Sequence, residues 1–565
     1  MAVNMQQPSD TEIGEWFVNV SPLAEGEFEF ALVLGGTVSA GAYTAGAVDF
    51  LIQAMDCLAE AQTKGEIPKH TVRLKLIAGT SGGGVNAAIA ARALAYRYPH
   101  LTPATHVQDG TDTGNPFYDT WIRKLHLSGF LETDDVGPHL ASLLNGKPID
   151  TGGDAIVNFA GGPAGQREWV AAPLRLILTL TSLRGVPYRT NFGTSLGQGY
   201  VDHADYGRFA LVYPGQQIDK VRPDEFVLGF GQPDVPQSTD WPKFAEYAKA
   251  TAAFPLGFPP RALERPTEHY RWRVVPYPPG PGGGTSWRLM WPDWQAMGGT
   301  NTPEVWKFLA VDGGATDNEP IQLARSALSG LLTHSPRDPD TANRAVWLID
   351  PFAGRAPLGP AAAVSFPSEF GSIATTLTQQ TRYSTADLLM AADDEQFSRF
   401  MLTPTRDGKV GEDVIASGGL GAFVGFACPA FMHYDYMLGR QNCWKFLKEE
   451  FRLAPGNQVF AHWTKAQLAA FTAQTPKGPR MPIIPLVGAV KDDPGFADWP
   501  NGKLDPEIYR DPIEKRFRRI VESELSGSWF RRLLSIIGAH AAQAPVTDAI
   551  INAMQDYLKK SELTK

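Results

Sequence analysis

The sequence predicts an α/β fold: a mostly parallel central sheet flanked by helices, continued by a helical C-terminal extension. Three observations carry this. Two units of apolar strand, glycine turn and helix follow one another between residues 28 and 98. Further strand-like apolar runs recur at 173–183, 305–314 and 344–352. From about residue 500 the pattern turns to helical periodicity without intervening strands.

In order, "FEFALVLGG" (28–36) is a buried strand running into glycine. "AYTAGAVDFLIQAMDCLAEAQ" (42–62) is a helix with Val48, Leu51, Ile52, Met55 and Leu58 at helical spacing. "TVRLKLIAG" (71–79) is the second strand and "GVNAAIAARALAYRY" (84–98) the second helix. Strand "PLRLILTLTSL" (173–183) precedes a loop-rich region, 198–300, that includes the Pro/Gly block "PYPPGPGGGTS" (276–286). "VWKFLAVDGG" (305–314) and "RAVWLIDPF" (344–352) complete the strands. "HYDYMLGRQNCWKFL" (433–447) is a helix with Tyr436, Leu438, Cys443, Phe446 and Leu447 facing inward. Helices at 511–525, 528–542 and 546–560 close the chain.

Bulk composition narrows the function classes. Of 565 residues, 43% are hydrophobic and 20% charged, the balance of a globular protein. The 60 acidic residues outnumber the 51 basic ones, opposite to what phosphate neutralisation by a nucleic-acid binder demands. Three widely spaced cysteines, Cys57, Cys428 and Cys443, form neither a zinc pattern nor a disulfide framework. With no charged n-region or apolar h-region in "MAVNMQQPSD", they predict a reducing, cytoplasmic setting. The apolar run 418–432 is Gly-rich and broken by Pro429, so it reads as core rather than as a membrane span.

Two pentapeptides fit G-x-S-x-G: "GTSGG" around Ser81 and "GTSLG" around Ser195. With 56 glycines in the chain, the pattern alone carries little weight. Context separates them. Ser81 lies between a strand and an Ala-rich helix, where a sharp turn exposes the hydroxyl and the helix N-terminus favours an oxyanion. Ser195 precedes "GQGYVDHADYG", which has no helix-forming content and reads as a loop.

The earlier glycine turn, "LGGTVSAGAYTAG" (34–46), lacks the Lys of a phosphate loop and the dinucleotide fingerprint. It reads either as a tight turn or as an oxyanion loop whose donors are the backbone N–H groups of Gly36, Thr37 and Val38, with Gly82. Asp312, at the end of a strand and before Gly313 and Gly314, stands at the sheet edge where α/β folds gather ligands; its plain reading is an Asp-Gly turn. Histidines His334, His433 and His462 permit a Ser–Asp–His order, although no local pattern marks them. His203, His433 and their neighbouring carboxylates are too few for a metal site.

Together these pieces resemble the patatin-like phospholipases, lipid acyl hydrolases that use a Ser–Asp dyad. Four motifs occur in that family's order: the loop 34–46, "GTSGG", "ATAAFPLGFPP" (250–260) and Asp312-Gly313-Gly314, followed by Asn318 and Pro320. The resemblance implies a patatin-like three-layer sandwich, Ser81 as nucleophile and Asp312 as general base. It also implies Gly35, Gly41, Gly79, Gly83, Gly313 and Gly314 as motif glycines, no cofactor and no metal. The substrate it implies is a carboxylic ester of a lipid, cleaved by phospholipase A, lysophospholipase or esterase chemistry through an acyl-enzyme. The loop departs from the family pattern, with Thr37, Val38 and Ser39 within it and Ala40 where a basic residue usually stands. A catalytically silent lipid- or protein-binding member is the alternative that this departure leaves open.

The expected organisation is an irregular lead-in, 1–27, a catalytic domain, 28–450, with insertions at about 100–170 and 198–300, and a mainly helical extension, 451–565. In "SWFRRLLSIIGAH" (528–540), Phe530, Leu533, Leu534 and Ile537 share one helical face, as a core-packed helix or a peripheral membrane-surface contact would require. No feature of the sequence speaks to oligomeric state.

Overall fold

In the computed structural model of the chain, the structure describes residues 5–6, 9–16, 22–105, 110–162, 167–190, 198–213, 216, 221–230, 240–271, 273–277, 286–297, 302–330, 335–352, 381–382, 396–525 and 539–564. Ser195, His334 and most of the 528–540 stretch lie outside the described residues.

The first two units form as their patterns require. Strand β1 (Glu27–Leu34) leads through a glycine turn to helix α1 (Gly41–Thr63). Strand β2 (Thr71–Gly79) then leads through a tighter turn to helix α2 (Gly82–Ala93). Helix α3 (Lys147–Asn158) precedes the long strand β3 (Val170–Thr190). Next come β4 (Gln198–Val212), β5 (Phe226–Gly229), helix α4 (Trp241–Thr251), β6 (Arg261–Pro266) and β7 (Val305–Asp312). Helix α5 (Ile321–Ser329), β8 (Arg344–Ile349), β9 (Arg399–Leu402) and helix α6 (Pro429–Glu449) follow. Helices α7 (Arg510–Leu525) and α8 (Ala539–Lys560) end the described chain.

Among the described residues, nine strands make the central sheet, in the order β9-β8-β1-β2-β3-β7-β6, with β4 on β3 and β5 on β4. The run from β9 to β3 is parallel throughout. Strands β7, β6 and β4 join antiparallel, so the sheet is largely but not wholly parallel. Alternation along β1 sends Phe28, Phe30, Leu32 and Leu34 to one face and Ala31 and Val33 to the other. The second face is covered by Ile321, Ala324 and Leu328 of α5, while the first is covered by α1 and α6. Between α1 and α6 the buried Asp49 takes Arg440, His100 and the Tyr436 hydroxyl as partners. Burial alone would raise its pKa, but His100 and Arg440 outweigh it and hold it at about 2.

Among the described residues, the segment 198–300 carries more strand and helix than its composition suggests, while most of the Pro/Gly block 276–286 lies outside them. The "HADYG" residues lie inside β4, paired with β3 in the register Thr179↔Tyr206 and Leu180↔Asp205. Asp205 is buried there because Arg265 (2.7 Å) and the Tyr270 hydroxyl (2.7 Å) satisfy it. Long-range partners therefore override a turn-like local composition. The helix expected over 84–98 stops at Ala93. Residues 452–482 carry three short antiparallel strands, Arg452–Leu453, Ala473–Thr475 and Gly478–Pro482, ahead of the terminal helices. Phe451 packs edge-on against Phe28 and stacks on Trp347, which joins this segment to the central core.

Candidate active site

Ser81 sits between the end of β2 and the first residue of α2, with φ 53° and ψ −127°. A non-glycine residue at positive φ is uncommon and strained, and such conformations persist only where the surroundings enforce them. One enforcing contact is the Ser81 N–H, which donates to Thr251 Oγ1 at 3.0 Å. Another is the first turn of α2. A Cβ on Gly83 would overlap the carbonyl oxygens of Leu34 and Gly35, so only glycine lets α2 press against the end of β1.

The loop after β1 lies against the same point. A side chain on Gly36 would overlap Asn318 Oδ1, and its Cβ would stand 3.4 Å from that of Ser81. Thr37 is buried, and Val38 is also held at positive φ, 48°. Among the described residues, no group accepts from the N–H of Gly36, Thr37 or Val38. Gly36 thus lies against Ser81, while Thr37 and Val38 lie against Gly82, where a Cβ would meet Thr37 Oγ1 and the Val38 carbonyl. Asn86 of α2 ties the two turns together, donating to the Gly41 carbonyl at 2.9 Å. Ser39 donates to the Ala422 carbonyl, linking the loop to the segment that precedes α6.

Asp312 closes β7 and caps a short 3₁₀ turn, Gly313–Ala315, with its Oδ1 accepting from Gly314 N–H at 2.8 Å. Its backbone is held on both sides. The Asp312 N–H donates to the Ala253 carbonyl at 2.9 Å, and Thr181 Oγ1 donates to the Asp312 carbonyl at 2.8 Å. Burial pushes the carboxyl up to about 6, against the lowering effect of hydrogen bonds from the Ser81 side chain and the Gly314 N–H. The serine and the aspartate, 231 positions apart in the chain, are therefore close enough for the Ser81 side chain to act on the Asp312 carboxyl.

Ser81 and Gly82 form part of the wall of a pocket that is partly open to solvent. Trp121, Leu125, Phe130, Ile156, Phe258 and Phe426 dominate the rest of the lining. A void of this composition accepts a hydrocarbon chain and offers little to a polar one. Of the histidines, His433 Nδ1 is 2.8 Å from the Tyr118 hydroxyl, and the His462 ring stands where a side chain on Gly26 would.

Sequence reasoning did not foresee the roles of Thr251 and Ala253 as backbone tethers, although both fall in the "ATAAFPLGFPP" stretch. Nor did it foresee the group under the loop. Glu319, bonded to Asn318 (2.8 Å) and Arg382 (3.2 Å), shares Arg382 with Asp350. Burial, with Asp350 nearby, pushes Glu319 well above the usual carboxylate range despite that arginine.

Residues 32–325 match the model of the patatin-like phospholipase family. An uncharacterized protein, y4iI, of Sinorhizobium fredii (strain NBRC 101917 / NGR234) is 31% identical over 566 aligned positions, which cover 89% of this chain and 77% of that protein. A crystal structure of VipD from Legionella pneumophila aligns over 95% of this chain and 86% of its own, at 10% identity. Its TM-score of 0.20 is too low to bear on the fold.

Proposed function

The chain belongs to the patatin-like phospholipase family, and from that premise we propose that it is a serine acyl hydrolase of lipid esters, working through Ser81 and Asp312 without a histidine. Membership supports lipid acyl hydrolase activity in general. The observation that carries the finer reading is the closeness of a strained, elbow-held Ser81 to a buried Asp312, whose carboxyl burial pushes up to about 6. A base with that pKa is ionised at neutral pH and still holds a proton well in a closed site.

In this reading Asp312 takes the Ser81 proton as Oγ attacks the ester carbonyl. The N–H groups of Gly36, Thr37, Val38 and Gly82 receive the oxyanion. Collapse of the tetrahedral adduct breaks the ester C–O bond, and Asp312 returns the proton to the leaving alcohol. Water, deprotonated by Asp312, then attacks the acyl-Ser81 ester, the C–Oγ bond breaks, and Asp312 returns the proton to Ser81 Oγ as the acid is released. The apolar pocket favours an acyl chain over a polar group on the carbonyl side.

The test is labelling by a fluorophosphonate probe, paired with turnover of esters from short p-nitrophenyl esters to phospholipids. Wild type is expected to label and turn over, and Ser81→Ala to do neither. Loss of activity in a folded His433→Ala variant would overturn the two-residue scheme. A folded wild type that takes no label supports lipid binding without turnover, the reading favoured by Ala40 standing where the family's loop carries a cation.

A further inference from the structure

Helix α3 reads "KPIDTGGDAIVN", with Gly152 and Gly153 side by side in its interior. Glycine inside a helix is disfavoured relative to alanine, so each position calls for a reason. Both residues are buried and both line the pocket that contains Ser81.

Gly153 has a packing reason. A Cβ there would lie 2.6 Å from Lys249 Cε and 2.9 Å from its Cγ. The lysine stem needs that space so that its ammonium can reach Asp154 and Glu246, each at 2.9 Å. Gly152 has none of this. Its backbone is not in the left-handed region, and among the described residues outside its own helix the one atom within 4 Å of its missing Cβ is Leu125 Cδ2, at an ordinary contact distance of 3.8 Å. Neither packing nor conformation demands glycine at 152. What its missing side chain leaves open is the pocket.

We propose that Gly152 is a specificity-determining residue that sets the chain length the pocket admits, so that the substrate is an ester with one long acyl chain lying along α3. This rests on the acyl-hydrolase reading of Ser81 and Asp312. A side chain at 152 would occupy the space of acyl methylenes while leaving the carbonyl end of the pocket unchanged. Each methylene kept out of an apolar site is worth about fourfold in binding.

The experiment measures kcat/KM for p-nitrophenyl palmitate relative to p-nitrophenyl butyrate in wild type, Gly152→Ala and Gly152→Val, with the melting temperature of each. The ratio is expected to fall about fourfold in Gly152→Ala and about fiftyfold in Gly152→Val, as one and about three methylenes are displaced. Gly152→Ala is also expected to melt about 1 °C higher, because alanine is the better helix residue. This variant keeps the test alive if valine prevents folding. An unchanged ratio, equal losses on both esters, or a lower melting temperature in Gly152→Ala would overturn the inference.

A second arm does not depend on turnover. Binding of cis-parinaric acid, a fluorescent long-chain fatty acid, is compared in Ser81→Ala and Ser81→Ala/Gly152→Val. Affinity at least tenfold weaker in the double variant supports the inference; if wild type then hydrolyses neither ester, the hydrolase reading falls and the role of Gly152 stands. Equal affinity overturns the inference even if hydrolysis is observed.

Discussion

Asp312 concentrates the physics of the site in one side chain. The strand that carries it ends in the protein interior, so its charge is poorly solvated, and among the described residues the Gly314 N–H and the nearby Ser81 side chain offset that in part. Two outcomes follow. If the ionised form is the base, kcat/KM should rise with pH, reach half its maximum near 6 and level off above about 7. A flat profile between pH 5 and about 8 would exclude Asp312 as the base. Asp312→Asn should abolish turnover yet stabilise the fold. The folded chain holds this proton more tightly than the unfolded one, so a penalty grows as pH rises from about 4 through about 6 and is complete above that. Lifting a carboxyl from 3.8 to about 6 corresponds to about 3 kcal/mol. Urea unfolding at pH 8 should therefore favour the Asn variant by an amount of that order, with the gap closing below about pH 4. Ser81 and Asp312 stand out in the sequence because glycines beside them mark tight turns at strand ends. Thr251 and Glu319 carry no such mark, since a buried hydroxyl or carboxyl is identified only by its partners.

At the scale of the element, the end of α4 organises the site. Thr251 accepts the Ser81 N–H through its side chain, and two residues later the Ala253 carbonyl accepts the Asp312 N–H. One stretch of backbone thus fixes the relative position of serine and aspartate, and its continuation, Phe254 and Phe258, lines the pocket. Thr251→Val removes the acceptor and leaves a partly buried N–H unpaired, at about 1 kcal/mol of stability. Because the strained Ser81 then relaxes, kcat should fall about tenfold with little change in KM, by the general sensitivity of catalysis to ångström misplacement. Thr251→Ser should restore both. If valine and threonine give the same kcat, the tether has no part in catalysis. Strands were legible where apolar residues alternate with polar ones or run together, as in β1, β2 and β8. Strand β4 was not, because its polar residues belong in a sheet only once Arg265 and Tyr270 are there to satisfy Asp205.

At the scale of the molecule, the C-terminal helices are built into the same body as the site. Arg516 of α7 is buried and bonds to the Leu143 carbonyl (2.6 Å) and Asp135 (2.8 Å), beside α3. Ile551, Met554 and Leu558 of α8 lie in the main core, and the Tyr557 hydroxyl donates to the Ala416 carbonyl at 3.1 Å. The Ala416–Ser417 backbone in turn donates to Asp435, which burial pushes up to about 7 against those bonds. A few residues on, Phe423 and Phe426 line the pocket. Deletion of 511–565 is therefore expected to cost cooperative unfolding and near-UV circular dichroism, with activity lost in parallel. A truncated chain that keeps a sharp transition and full turnover would show that these helices are dispensable.

The sequence by itself determined the α/β class and the two strand–turn–helix units, and it marked an elbow serine and an Asp-Gly-Gly aspartate as candidates. Those features are local: apolar periodicity and glycine punctuation act over a few residues, so they can be read without knowing what lies across the core. Only the tertiary structure decided which groups hold that pair, that β4 is a strand, that the C-terminal helices share the core, and that Gly152 faces the pocket. Each of these is set by contacts between residues far apart in the chain, where burial and hydrogen-bond satisfaction outweigh local preference.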